Sequence, residues 1–133
     1  MTDDQRNAMA EATRRRPGTV LVVDDDPGVV EALETLLVDE GYHVVTACHG
    51  RAALSYLTEN EAPSVILLDM MMPIMDGYGF LAEQRQHPTF SRIPVVVLTA
   101  GANSNRVRAL SPTGFLSKPV DVDALLALLE EYC

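Results

Sequence analysis

Lysine occurs once in this chain, at Lys118; the other nine basic residues are arginine, and together they face 19 acidic ones. The resulting net charge of −9 repels polyphosphate backbones, which excludes a nucleic-acid partner. Cysteine is equally sparse. Cys48 and Cys133 are far apart and form no CxxC pair, which argues against a zinc cluster or a disulfide framework and suits a reducing compartment. No apolar run approaches the roughly 18 residues of a membrane span. Residues 1–18 also lack the continuous apolar segment of a secretory leader, so the expected address is cytoplasmic with no membrane contact. The three histidines, His43, His49 and His87, are scattered without ligand spacing and read as surface or internally satisfied groups.

What the chain does have is enough apolar residue, 47% over 133 positions, for one domain that buries roughly two-thirds of its unfolded surface without staples. Residues 1–18 are polar, mixed in charge and end in Thr13-Arg14-Arg15-Arg16-Pro17-Gly18. They read as a flexible tail whose arginines are solvated, leaving 19–133 as the folded domain. From Thr19 short apolar runs alternate with helical patterns, the signature of βα units on a parallel sheet. Strands are expected at 20–23, 44–46, 65–68, 95–98 and 115–116. The first, third and fourth are unbroken Val/Ile/Leu blocks, as strands covered on both faces require. Val29, Val30, Leu33, Leu36 and Leu37 fall on one helical face between Pro27 and Gly41, a start and a stop signal. Further helices are expected at 50–58, at 78–86 despite the neighbouring Gly77 and Gly79, and after Asp121, a good N-cap.

Each confident strand ends on a polar group. Asp24-Asp25-Asp26 follow the first, Asp69 the third, Thr99 the fourth and Lys118-Pro119 the fifth. In a parallel sheet these ends share one edge, where open α/β sheets bind their ligands. Carboxylates about 4 Å apart repel by roughly 4 kcal/mol at an effective dielectric near 20, so a converging set must protonate, separate or recruit a cation. Asp24, Asp25 and Asp69, with no nearby histidine or cysteine, suit magnesium; calcium is disfavoured because no loop has the EF-hand spacing. Lys118 supplies a compact charge and Thr99 a hydroxyl for phosphate oxygens. A carboxylate beside a metal, an ammonium and a hydroxyl is an acceptor for in-line phosphoryl transfer, and Asp69 is the candidate nucleophile.

These blocks, Val22-Val23-Asp24-Asp25-Asp26-Pro27, Leu68-Asp69-Met70-Met71-Met72-Pro73-Ile74-Met75-Asp76-Gly77, Leu98-Thr99-Ala100 and Lys118-Pro119, resemble the response-regulator receiver domains of two-component signalling. The likeness covers about residues 19 to 132. It implies a flavodoxin-like (βα)5 fold, three layers around a five-stranded parallel sheet of order 2-1-3-4-5. It further implies that Asp69 accepts a phosphoryl group from a histidine kinase or histidine phosphotransfer protein. By the same resemblance Asp25, Asp69 and the main-chain carbonyl of Met71 ligate Mg2+, with Asp24 holding the ion through water. Thr99 and Lys118 would bind the phosphoryl oxygens, Phe115 would occupy the switch-aromatic position, and Lys118-Pro119 would be a cis bond. Such a protein is not an enzyme beyond its own phosphorylation and dephosphorylation.

Among the remaining residues, Asp26 reads as the cap of the first helix, Asp76-Gly77 as turn chemistry, and Met70, Met72 and Met75 as packing under the loop. The chain departs from the family pattern between Thr99 and Lys118, where a short helix from near Ser104 must end before Pro112. This alters the face formed in receivers by the fourth helix, fifth strand and fifth helix. Met71 and Gly101, two residues past Asp69 and Thr99, cannot hold an attacking water through their side chains, so slow self-dephosphorylation is expected. Because the chain ends with the last helix at Cys133, a stand-alone receiver that switches its affinity for a downstream protein is the expected form. The rivals are a receiver-like interaction module without phosphotransfer, and a phosphatase of the haloacid-dehalogenase type. The latter wants a second acid where Met71 stands.

Overall fold

A computed structural model describes residues 18–99, 109 and 112–133. Most of the polar tail, Gly101 and nearly all of the short helix expected from Ser104 lie outside the described residues. Five strands carry the chain: β1 (Thr19–Val23), β2 (His43–Ala47), β3 (Val65–Asp69), β4 (Val95–Thr99) and β5 (Gly114–Ser117). They pair in parallel in the order β2-β1-β3-β4-β5, the expected topology. The described helices are α1 (Pro27–Asp39), α2 (Gly50–Glu59), α3 (Gly77–Gln86) and α4 (Val122–Tyr132), with a single 3-10 turn at Phe90–Arg92.

Alternate residues of a strand point to opposite faces, and here both faces are apolar. Val20, Val22, Val65, Leu67, Val96 and Leu98 pack with Leu33 and Leu37 of α1 and Leu125 and Leu129 of α4. Leu21, Val23, Ile66, Leu68, Val95 and Val97 pack on the other side with α2 and α3 through Ala53, Leu57, Phe80 and Leu81. Burying each such side chain stabilises the fold by about 1.5–3 kcal/mol. This two-sided cover is why the strands lack a polar alternation.

The helices begin where the sequence supplies an acceptor for orphan amides. Asp26 Oδ1 accepts from Gly28 and Val29, Asp76 Oδ1 from Gly79 and Asp121 Oδ1 from Ala124. His49 plays the same part for α2, its Nδ1 accepting from Ala52 at 3.1 Å. The helix α1 ends in a Schellman motif: Gly41, at φ 93°, donates to Val38, and Tyr42 donates to Leu37, a closure that only a residue tolerant of positive φ allows without strain.

The sequence reading missed the 3-10 turn and the residue that organises it. Gln84 is buried and its Nε2 donates to the carbonyls of Phe90 and Ile93, fixing the approach to β4. A glutamine in an amphipathic helix, with a second at Gln86 two residues on, carries no local sign of such a role. Element bounds otherwise shift by a residue or two at the ends, where strand pairing extends beyond the apolar run, as at β2 and β5.

Candidate functional site

The register of the sheet decides which polar groups meet. Val23 of β1 lies opposite Leu68 of β3, so the next residues, Asp24 and Asp69, leave the sheet side by side. Asp69 is opposite Leu98 and Thr99 opposite Ser117, which brings Lys118 over the same edge. Its amide donates to the Thr99 carbonyl at 3.1 Å, continuing the ladder one step past the strands. The Lys118-Pro119 bond is cis, as the resemblance implied.

Side chains then close the cluster. Carboxylate oxygens of Asp24, Asp25 and Asp69 lie within 4.8 Å of one another; Asp24 and Asp69 are buried, at 2% and 6% exposure, and Asp25 is exposed. Lys118 Nζ donates to Asp24 Oδ2 at 3.0 Å and to Asp69 Oδ1 at 3.1 Å. Asp24 Oδ1 accepts from the Asp26 amide at 2.9 Å, and the Met71 amide bonds the Asp69 carboxylate. Each carboxylate offers about four lone-pair positions, so these contacts leave oxygen donors for a hard dication. The donor set, three carboxylates without sulfur or imidazole, fits magnesium.

Burial and the neighbouring charge of Asp24 push the Asp69 carboxyl above its ordinary value, against the opposing pull of Lys118 and the Met71 amide. For Lys118, burial acts to lower its pKa, yet hydrogen bonds to Asp24 and Asp69 and their charges outweigh it and hold the ammonium above its usual value. The cluster thus resolves its repulsion partly with its own cation, which the sequence reading had reserved for phosphate oxygens.

The other expected residues fall around this centre. Thr99 is buried at the end of β4. Met71 is 73% exposed beside Asp69, so its side chain is directed to solvent while its amide turns inward. Phe115, on β5, is half-buried and packs on the α2–α3 side of the core. Met70 is buried, Met72 and Met75 pack against the same cluster, and Asp26 caps α1 as expected.

Sequence reasoning missed three features of the loop after Asp69. Ile74 has φ 67° and is 80% exposed, an unusual backbone for a β-branched residue. A Cβ at Gly77 would lie 2.6 Å from the Asp69 carbonyl oxygen, so the residue read as turn chemistry also permits close packing behind the end of β3. Gly50, read only as the start of α2, touches Met75. The glycine letters were visible, but what approaches them was not.

Residues 20–130 match the response regulator receiver domain family. The response regulator Rre1 of Synechocystis is 41% identical over 118 residues, covering 85% of this chain. The chain spans half the length of Rre1. Among solved structures, the chemotaxis response regulator CheY4 of Vibrio cholerae has a TM-score of 0.77 at 31% identity, over 86% of this chain and 98% of that one. The receiver domain of sensor histidine kinase PA1611 from Pseudomonas aeruginosa, with a magnesium ion coordinated in its active-site cleft, has a TM-score of 0.79 at 26% identity, over 86% and 96%. With the four ordered motifs, the sheet order and the acidic edge beside a lysine all in place, this chain belongs to the response regulator receiver domain family of two-component signalling.

Proposed function

We propose that Asp69 is the phosphoacceptor of this receiver, and that residues 19–133 act as the signalling domain with the segment before them as a tail. The observation that carries the reading is the pair of bonds from Lys118 to Asp24 and Asp69, which sets one ammonium against two buried carboxylates at the sheet edge. Asp24, Asp25, Asp69 and the Met71 carbonyl would hold magnesium, Asp24 through water; bound there, the ion supplies positive charge to the oxygens of the transferring phosphoryl group. An Asp69 oxygen attacks phosphorus, the phosphorus–nitrogen bond to a donor histidine breaks, and the imidazole leaves with the electron pair and takes up a proton. Lys118 exchanges a carboxylate oxygen for a phosphoryl oxygen, and the Thr99 hydroxyl donates to another. The chain's contribution is positioning and charge neutralisation.

The donor is a histidine kinase or a histidine phosphotransfer protein, and the only chemistry the chain performs is on itself. The output is a change of affinity for a protein partner. Moving such a switch from 1:99 to 99:1 takes about 5.5 kcal/mol, a size that charge-assisted bonds from Thr99 and Lys118 to the phosphate, relayed to Phe115, can largely supply. A cytoplasmic setting accords with the free thiols of Cys48 and Cys133. Incubation with acetyl phosphate and magnesium tests the assignment by intact mass: the wild type gains one phosphoryl group and Asp69→Asn gains none. Labelling that persists in the variant refutes it, and a wild type that is never labelled marks an interaction module without phosphotransfer.

A further inference from the structure

Residues 70–76, between β3 and α3, include Met71 and are tied at three backbone points. The Gly77 amide donates to the Met70 carbonyl at 3.0 Å, and the Met75 amide donates to the Pro73 carbonyl at 2.7 Å across Ile74. The third tie comes from a different βα unit: the Gly50 amide, in the first turn of α2, donates to the Met75 carbonyl at 2.9 Å. An amide in a helix's first turn has no partner within its helix, so this one is available to an outside acceptor. Gly50 is buried. A Cβ there would lie 2.7 Å from Met75 Cγ and 2.9 Å from the Met75 carbonyl oxygen. Only glycine lets α2 approach the loop this closely.

The tie matters because of what it restrains. The turn closed by Pro73 and Met75 has Ile74 at φ 67°, a three-residue turn that is intrinsically strained and is worse for a β-branched side chain. Such a conformation persists only when its surroundings over-determine it. The Gly50 bond grips the residue immediately after Ile74. Removing it takes away one of the three ties on the segment that carries Met71.

We infer that Gly50 is a positioning residue for the Asp69 site, latching the loop that carries the Met71 carbonyl, which would hold the ion. The inference rests on the reading of the site given under Proposed function. It makes α2, which carries no group of the site, part of the machinery that holds magnesium.

Calorimetric titration of magnesium into the full chain tests it with four proteins: wild type, Gly50→Ala, Ser55→Gly and the double variant Gly50→Ala with Met75→Ala. Ser55 is exposed on the same helix, so its replacement by glycine weakens α2 without touching the loop. Gly50→Ala is expected to bind magnesium about tenfold more weakly, the loss seen when groups that orient ligands are removed. Ser55→Gly is expected to bind as the wild type does, and the double variant to recover part of the loss. Magnesium should also slow hydrogen exchange of the Gly50 amide in the wild type, as reciprocal coupling requires.

Equal affinity for Gly50→Ala and wild type overturns the inference, as does an equal loss in Ser55→Gly, which would mean that α2 stability alone is felt. Should Gly50→Ala fail to fold, hydrogen exchange in the wild type decides: a Gly50 amide whose exchange magnesium leaves unchanged overturns the inference. A wild type that binds no magnesium sinks the reading of the site itself, and this inference with it.

Discussion

Lys118 Nζ lies 3.1 Å from Asp69 Oδ1 while keeping a 3.0 Å bond to Asp24 Oδ2, so one ammonium balances two carboxylates that are almost wholly buried. Removing that charge leaves two largely buried like charges facing each other. Lys118→Met is therefore expected to destabilise the fold by about 2 kcal/mol in EDTA at pH 7. On the proposed reading magnesium takes up the same oxygens, and it should restore most of the loss. Urea unfolding with and without the ion measures both effects; equal stability of variant and wild type in EDTA would contradict them.

The Asp69 carboxyl titrates above its ordinary value of 3.8, chiefly through burial and through the Asp24 charge. Between that value and the raised one, the native state holds a proton that the unfolded chain has released. Stability in EDTA therefore falls as pH rises through this window and stays lowered above it. Asp69→Asn removes the ionisation and should raise the urea midpoint at neutral pH, with a flatter pH profile across the acid range. A variant less stable than wild type at pH 7 in EDTA would reverse the sign. Lys118, whose pKa is also raised, adds stability that is lost only when alkaline pH passes its folded value.

Ile74 sits at φ 67° and is 80% exposed, so its side chain has little packing to offset the backbone cost. Ile74→Gly is expected to stabilise the chain by about 1 kcal/mol, read as an increase in Tm at constant magnesium. A lower Tm would mean that the isoleucine side chain contributes more than its exposure implies.

Met71 directs its side chain to solvent beside Asp69 and has no group to orient a water against an aspartyl phosphate. Loss of phosphate should be slow, and Met71→Asn, which adds an amide at the cleft's rim, should speed it several-fold. The decay of acetyl-phosphate-labelled protein in magnesium, followed by intact mass, measures both rates. A fast wild-type decay that the substitution leaves unchanged contradicts the expectation.

The sequence by itself determined the strands and the polar residues that end them. Val20 to Val23 and Val65 to Leu68 are apolar without interruption because both faces of the sheet are covered, and a period of two or 3.6 residues is a local property that letters carry. The capping parts of Asp26 and Asp121 were legible for the same reason, since a cap lies within three residues of the amide it serves.

Only the tertiary structure decided how the ends combine. Lys118 meets Asp24 across 94 positions and Asp69 across 49, and the register of four strands, not any local pattern, delivers it to both. That Gly50 lies against Met75, that Gly77 backs the end of β3 and that Ile74 is held at positive φ likewise depend on which backbones approach. A glycine in a sequence states that room is allowed; the fold decides what fills it.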